Sequence, residues 1–185
     1  KVLKSAKNQN ILIYGRRRVG KTELISEVIK DKNAIYFEAS EDIAANDIER
    51  LSLLIGEYYK FPLSFKDIRE ALVFMFEKGI QEDLVFVIDE YPYLRNTIIG
   101  LDSIIQNVID EYRHKSKLKL ILCGSFVDVM KNILEYENPL YGRFETIIDL
   151  KQMDYYDASK FYINYSPEDK IALYSVFGGI PFYNS

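Results

Sequence analysis

With 185 residues, the chain is long enough to bury one good core and the start of a second unit, but too short for two independent domains. Its 24 basic and 28 acidic residues give a net charge of -4, which does not resemble the broad positive field of nucleic-acid-binding proteins and leaves nucleic acid as an unsupported partner. The single cysteine, Cys123, excludes an internal disulfide, and the apolar runs are far shorter than the roughly 20 residues of a membrane helix, so we expect a soluble, cytoplasmic protein.

Short apolar runs alternate with amphipathic stretches along the chain, which is typical of an α/β fold. The predicted strands are, in chain order, Asn10–Tyr14, Ala34–Glu38, Leu84–Ile88, Lys119–Cys123 and Glu145–Leu150. The predicted helices between them are Lys21–Lys30, Asp47–Tyr59, Phe65–Glu77, Leu101–Lys115 and Phe126–Leu134. Because three of the strands contain continuously apolar runs, we expect a parallel sheet that is covered on both faces.

The chain beyond the last predicted strand carries the signals of a separate helical unit. Ser166 is a favourable helix N-cap, Pro167 suits the first helical position, and acids follow in the first turn. We therefore predict a core at residues 1–153 and the beginning of a helical lid at residues 154–185. The start at Lys1 and the end at Ser185 are those expected of a piece of a longer protein.

A glycine-rich loop lies between the first predicted strand and the first predicted helix, which is the context that a phosphate-binding P-loop requires. Glycines let successive amide groups face a phosphate, and the N-terminus of the following helix adds its positive dipole. The lysine reaches the outer phosphates and the threonine hydroxyl ligates Mg²⁺. The predicted nucleotide-binding residues of this loop are Gly15, Arg16, Arg17, Arg18, Val19, Gly20, Lys21 and Thr22. For the three arginines, steering of the nucleotide and simple solvated charge remain equal alternatives.

Two adjacent acids end the apolar strand Leu84–Ile88, which is typical of a Walker B element. Asp89 is the predicted magnesium partner, and Glu90 is the predicted base that polarises the attacking water. A second acid at this place favours ATPases over P-loop kinases and small GTPases.

Two further residues are candidates for the catalytic site. Ser125 follows the strand Lys119–Cys123 and could sense the γ-phosphate, or it could cap the helix that begins at Phe126. Arg143 precedes the last strand and could stabilise charge on the transferred phosphoryl group, within the chain or in a neighbouring subunit of a homo-oligomer. The alternative for Arg143 is a surface residue that closes a loop.

A glycine and proline turn at 178–181 suggests a contact with the base of the nucleotide. Ile180 and Pro181 would present an apolar surface to a flat adenine, although the same sequence could be an ordinary helix stop.

Five segments together resemble the archaeal-type ATPase family within the STAND branch of AAA+ proteins. They are Gly-Arg-Arg-Arg-Val-Gly-Lys-Thr, Ile-Asp-Glu-Tyr-Pro-Tyr-Leu, Cys-Gly-Ser, Pro-Leu-Tyr-Gly-Arg and Gly-Gly-Ile-Pro, and their order agrees across nearly the whole chain. The resemblance implies a three-layer P-loop NTPase with a parallel five-stranded sheet in the order 5-1-4-3-2, ATP with Mg²⁺, and a lid whose turn at 179–181 contacts the base. It also places Arg143 where related origin-recognition ATPases carry an arginine finger.

The chain departs from that family pattern at both ends. The Arg-Glu-rich element that helps to hold adenine is missing before Val2, and a sensor arginine of a later lid helix would fall after Ser185. We expect an ATPase that couples hydrolysis to a conformational change in a longer protein. The alternative is a switch that binds ATP without hydrolysis and acts through a C-terminal effector domain absent from this chain. A small-molecule phosphotransferase is a weaker third alternative.

Overall fold

The computed structural model describes residues 9–184, and its centre is a parallel five-stranded sheet. The strands are β1 (Ile11–Tyr14), β2 (Ala34–Glu38), β3 (Val85–Asp89), β4 (Lys119–Gly124) and β5 (Thr146–Asp149). They lie in the order β2-β3-β4-β1-β5, which read from the other edge is the expected 5-1-4-3-2. The predicted α/β fold and its strand order are therefore confirmed.

Helices connect the strands and cover both faces of the sheet, as crossovers between parallel strands require. In chain order they are α1 (Lys21–Ile29), α2 (Ala44–Tyr59), α3 (Ile68–Gln81), α4 (Tyr91–Thr97), α5 (Leu101–Tyr112), α6 (Val127–Asn132), α7 (Tyr155–Ala158), α8 (Pro167–Phe177) and α9 (Pro181–Asn184). The short helix α4 was not predicted, because its seven residues are too few for a helical period to be visible and Pro92 lies in its first turn.

Alternate side chains along the strands pack into two hydrophobic cores, one on each face of the sheet. The larger core lies on the face covered by α2, α3, α4 and α5, and it includes Leu12, Phe86 and Leu122. The smaller core lies under α1 and includes Ile13, Val87 and Cys123, each at most 4% exposed. The sheet is thus the middle of three layers, and the carboxyl ends of its strands form one common edge.

The segment after β5 returns to that edge through a close backbone contact. The Met153 amide donates to the Gly179 carbonyl over 2.8 Å, and a Cβ at position 179 would overlap the Met153 backbone. Helix α8 begins as predicted, with the Ser166 hydroxyl accepting from the Asp169 amide over 3.1 Å. The predicted boundary between residues 153 and 154 falls just before α7. The outer limits of both predicted domains, together with the departures expected before Val2 and after Ser185, lie outside the described residues.

Between residues 9 and 184, none of the helices has both the length and the apolar character needed to cross a membrane.

Candidate functional site

The predicted P-loop forms the turn between β1 and α1, at the carboxyl edge of the sheet. Gly20 adopts a left-handed conformation with φ of 95°, which a glycine accepts at little cost, and helix α1 begins at the next residue. Lys21 is only 6% exposed, and its Nζ donates to the carbonyl oxygens of Gly15 and Arg16 over 3.0 and 3.2 Å. The lysine charge is therefore held inside the loop, where an anion would meet it.

A cleft of about 990 Å³ opens beside this loop and contains charged and apolar walls. Residues 17–22 form one wall, and Glu38 and Glu90 come from the ends of β2 and β3. Leu150, Met153 and Phe161 follow β5, and Pro181 and Phe182 belong to α9. The cleft thus combines a phosphate-binding loop with a polar floor and an apolar wall, which is the composition of a nucleotide pocket.

Asp89 is brought directly to Thr22, although 66 residues separate them in the chain. The Thr22 hydroxyl donates to Asp89 Oδ2 over 3.2 Å, and the Glu90 amide donates to Asp89 Oδ1 over 2.8 Å. Asp89 is 3% exposed. A hydroxyl and a carboxylate that meet at the mouth of a phosphate loop are the oxygen donors that suit Mg²⁺, so the residues present fit this ion.

Tyr36 on β2 is a third group at this carboxylate, and sequence reasoning missed it. Its hydroxyl donates to Asp89 Oδ2. Burial first, and then the hydrogen bond to the Asp89 carboxylate, raise the Tyr36 pKa well above its ordinary value, so the phenol stays a neutral donor. The only available signal was the position of Tyr36 near the end of a strand that pairs with β3.

Glu90 stands in a left-handed conformation, with φ of 49°, at the point where β3 passes into α4. Such backbone conformations are uncommon for residues other than glycine and persist where the surrounding structure holds them. The Ser125 hydroxyl and amide both donate to Glu90 Oε2, over 2.9 and 3.2 Å. The structure therefore brings Glu90 and Ser125 together. The alternative that Ser125 caps the next helix is wrong, because α6 begins at Val127 with Phe126 at its N-cap.

The side chains of Arg17 and Arg18 bind aromatic residues on two different elements. Arg17 donates to the Tyr93 hydroxyl over 2.8 Å. Arg18 donates to the Tyr183 hydroxyl over 2.7 Å and lies 4.5 Å from the centre of the Phe182 ring. Arg16 is exposed, and it contributes its carbonyl to Lys21. Two of the three loop arginines are therefore attached to the walls of the cleft and are not simply solvated.

The predicted base-contacting pair is only partly at the cleft. Pro181 lines it and lies 3.8 Å from the position that a Cβ at Gly20 would occupy. Ile180 is half-buried outside the cleft lining, and its carbonyl accepts from Asn184 Nδ2 over 2.7 Å. Phe182, which sequence reasoning missed, stands beside Pro181 instead.

Arg143 lies at the other end of the sheet, near the amino ends of the strands. Its carbonyl accepts from the side chain of Asn10, directly before β1, whereas the P-loop follows β1. Its guanidinium pairs with Asp110 over 2.8 Å. This position does not favour a role for Arg143 on the nucleotide of its own chain. A role in a neighbouring subunit remains a prediction.

Comparisons with known proteins agree with this geometry. The family model described as an ATPase domain predominantly from Archaea matches residues 1–183. An uncharacterized protein of Methanocaldococcus jannaschii, MJECL04, is 30% identical over 174 residues. The match covers 94% of this chain but only 38% of that protein.

Solved structures of archaeal proteins share the fold. The Walker-type ATPase PABY2304 of Pyrococcus abyssi has a TM-score of 0.66 at 22% identity, over 94% of this chain and 60% of that one. The Aeropyrum pernix ORC2 protein in its ADPNP-ADP complexes has a TM-score of 0.61 at 16% identity, over 93% of this chain and 48% of that one. The Aeropyrum pernix ORC1 protein in complex with DNA has a TM-score of 0.58 at 16% identity, over 92% and 45% of the two chains. At these identities the likeness shows the fold alone.

Proposed function

Because the chain belongs to the family of ATPase domains found predominantly in Archaea, and so is a nucleotide-binding P-loop ATPase domain, we propose that it hydrolyses ATP to ADP and phosphate with Mg²⁺ and couples this cycle to a conformational change in a longer protein. We place it in the STAND branch of AAA+ proteins. The observation that carries the proposal is that Lys21, Thr22 and Glu90 line one cleft at the carboxyl ends of the strands, where Thr22 also binds the buried Asp89 carboxylate.

Binding of the triphosphate falls to the P-loop and the two walls of the cleft. Lys21 Nζ exchanges the Gly15 and Arg16 carbonyls for the outer phosphates, while the amides of residues 15–22 and the start of α1 face the remaining phosphate oxygens. The apolar wall that contains Pro181 and Phe182 is the surface for the base. Phe182 thereby takes the part that the sequence assigned to Ile180.

Thr22 and Asp89 are the residues that would hold Mg²⁺, Thr22 through its hydroxyl and Asp89 through water. When bound, the ion supplies positive charge that balances the phosphate oxygens. Tyr36 orients the Asp89 carboxylate for this task.

Glu90 is the base in the proposed reaction. It accepts a proton from a water molecule whose oxygen attacks the γ-phosphorus, and the bond from phosphorus to the bridging oxygen of ADP breaks. Ser125 is the sensor, because it binds Glu90 through both its hydroxyl and its amide and so responds when Glu90 turns toward water. Arg143 would complete the site of a neighbouring copy in a homo-oligomer.

In this proposal, the lid transmits the conformational change of the ATP cycle to the rest of the protein. Residues up to 153 form the core, and the lid from residue 154 closes on the P-loop through α9. The output then passes to further parts of a longer protein, since the chain spans 38% of its Methanocaldococcus jannaschii relative.

Single-turnover hydrolysis tests the proposal. Glu90→Gln keeps the size of the side chain and removes the base, so we expect a loss of roughly 100-fold or more in rate with ATP affinity retained. Glu49→Gln, at an exposed position on α2, is the matched control and should behave as the parent. A parent that turns over no faster than Glu90→Gln under conditions that allow oligomers would rule out the hydrolysis.

Nucleotide binding itself is tested at Lys21. Lys21→Ala removes a buried charge that meets the phosphates, which should cost about 2–5 kcal/mol, or at least roughly 30-fold in Kd. Lys32→Ala, an exposed residue beyond α1, is its control. If Lys21→Ala bound ATP as tightly as the parent in calorimetry, the P-loop would not be the binding element.

The contact between Glu90 and Ser125 also favours a second candidate, a switch that binds ATP without hydrolysis. In this conformation two donors from Ser125 already occupy Glu90 Oε2, so this oxygen is not free to accept from a water molecule. Tight binding by the parent with no turnover in the same assay would select this switch.

A further inference from the structure

A largely buried polar cluster is centred on Asp102 at the start of α5. We call Tyr91, Arg95, Asp102, Asn132 and Asn138 the Asp102 cluster. The Tyr91 hydroxyl donates to one oxygen of Asp102. Asn138 Nδ2 donates to the other over 2.8 Å, and Arg95 Nη2 pairs with that same oxygen over 2.8 Å. Tyr91 is fully buried, and Asp102 and Asn138 are each only 8% exposed.

The cluster contains an ion pair that is largely withdrawn from water, with 24% of the Arg95 side chain and 10% of the Asp102 side chain exposed. Removing a carboxylate and a guanidinium from water is costly, and well-packed apolar residues of similar size often serve a core as well or better. Here both oxygens of Asp102 are occupied, and Arg95 has further partners in Asn132 Oδ1, at 2.6 Å, and the Val129 carbonyl, at 3.3 Å. Satisfied buried networks of this kind fix one geometry among their elements.

Two of those elements carry the groups of the proposed active site. Helix α4 begins directly after Glu90, and its Tyr91 and Arg95 both bind Asp102. Helix α6 begins two residues after Ser125, and Arg95 binds it at Val129 and Asn132. A movement of Glu90 away from Ser125 therefore acts on helices that Asp102 and Arg95 hold together.

The third element is the segment 138–143, which runs beside α5 and is tied to it at both ends. Asn138 binds Asp102 at one end and Arg143 binds Asp110 at the other, each over 2.8 Å. The two carboxylates lie eight positions apart on α5, which is about 12 Å along the helix. Within the segment, the Leu140 amide donates to Asn138 Oδ1 and the Arg143 amide donates to the Leu140 carbonyl. The segment thus connects the end of the sheet that carries the P-loop with the end that carries Arg143.

We propose that Asp102 is a positioning residue, which anchors the segment 138–143 to the helix after Glu90 so that the nucleotide at the cleft sets the position of Arg143. This inference rests on the proposed function, because it requires nucleotide binding at the P-loop. Asp102 touches neither the nucleotide nor the reacting atoms, and it acts through Asn138.

Hydrogen exchange of the amides in the segment 138–143 tests this role in the 185-residue chain. Addition of Mg²⁺ and a non-hydrolysable ATP analogue should change exchange in the parent by roughly tenfold, although the segment does not line the cleft. In Asp102→Asn the nucleotide-dependent change should disappear, because one acceptor oxygen remains where Tyr91, Asn138 and Arg95 all bind, and the charge that pairs with Arg95 is lost. The Kd for the analogue should stay within about threefold of the parent.

Two further variants separate positioning from simple loss of packing. Asn138→Ala leaves the contacts of Asp102 with Tyr91 and Arg95 in place but removes the bonds of Asn138 to Asp102, to Asn132 and to the Leu140 amide. It should also abolish the nucleotide-dependent change, which is measured in this variant at the amides of residues 141–143, because the lost bond alters exchange at the Leu140 amide with or without nucleotide. If Asp102→Asn shows no cooperative unfolding transition, and so is not properly folded, the result for Asn138→Ala decides the test. Asp128→Asn, at an exposed position on α6, should keep the response of the parent.

The outcomes distinguish the inference from the proposed function. Binding of the analogue without any change in the segment 138–143 of the parent overturns the inference alone, as does a full response in Asn138→Ala. A parent that does not bind the analogue overturns the proposed function, and the inference with it.

Discussion

Asp89 shows how one side chain is held by donors from three separate parts of the chain. Thr22 comes from α1, Tyr36 from β2, and the amide of Glu90 from the residue that follows. A carboxylate that accepts several hydrogen bonds is fixed in orientation before any ion arrives, which lowers the cost of binding one. In the proposed magnesium site the roles of Tyr36 and Thr22 would therefore differ, since Tyr36 would orient the carboxylate and Thr22 would join it as a ligand.

Removal of the Tyr36 hydroxyl should weaken the response to magnesium more than the binding of nucleotide. In Tyr36→Phe the Asp89 carboxylate loses one donor, so the Mg²⁺ concentration for half-maximal ATP binding should rise about tenfold. A magnesium titration followed by calorimetry measures this. Tyr156→Phe, at a residue 77% exposed, is the control. An unchanged titration in Tyr36→Phe would mean that Thr22 and the backbone suffice to orient Asp89.

The residues of the site differ in how far the sequence predicts them. The P-loop is a contiguous pattern, and the Asp89 and Glu90 pair follows a visible apolar strand, so both could be located without coordinates. Tyr36 could not be found in this way, because its partner depends on the register that places Glu38 beside Asp89 in the sheet. Ile180 was chosen for its apolar character, but α9 starts one residue later and turns Phe182 to the cleft instead.

At the scale of elements, Arg18 attaches the P-loop to helix α9. This residue keeps a left-handed backbone, with φ of 68°, and its guanidinium binds Tyr183 and stacks near Phe182 on α9. A cation over an aromatic ring and a hydrogen bond at an exposed site together contribute on the order of 1 kcal/mol. That is enough to bias a short helix between docked and undocked positions.

Arg18→Ala should therefore release α9 without disturbing the sheet. We expect hydrogen exchange at the amides of residues 182–184 to become about fivefold faster, and ATP affinity to fall by a similar factor because the apolar wall of the cleft is less well held. Arg113→Ala, at an exposed residue just after α5, is the matched control. Faster exchange with unchanged affinity would show that α9 is not part of the binding wall.

The sequence predicts the strands and helices best where a pattern of neighbouring residues extends over several positions. The predicted strands were confirmed within one residue at each end, and the capping signal at Ser166 was confirmed at its hydroxyl. The helix ends were less accurate, as with α3, which runs four residues further than the predicted Glu77. The sequence predicts only a turn where α9 lies, because a helix of four residues shows no helical period.

For the whole molecule, the position of Arg143 limits how it could act. The chain brings its phosphate loop and Arg143 to opposite edges of one sheet, so an arginine finger requires a second copy that places its own Arg143 edge against the first cleft. The strand order was expected from the family resemblance, but the pairing of Arg143 with Asp110 was not, because it depends on how the segment after α6 packs on α5.

Mixed subunits test this geometry. Arg143→Ala and Glu90→Gln should each lose at least roughly 100-fold in turnover when alone. In an equal mixture, a site with an intact Glu90 meets an intact Arg143 in about one case of four, so about a quarter of the parent rate should return. Lys32→Ala mixed with Glu90→Gln controls for dilution. If the mixture stays as inactive as its components, Arg143 does not act between subunits.

The close contact between Gly15 and Leu150 limits how chimeras can be built from this chain and a related protein. A Cβ at position 15 would overlap the Leu150 carbonyl, so the first residue of the P-loop and the first residue after β5 occupy complementary shapes. A chimera that joins this core to the lid of another ATPase must therefore retain the backbone path at position 150. A junction after Met153 meets this condition only if the grafted part keeps a glycine at position 179, where the Met153 backbone leaves no room for a Cβ.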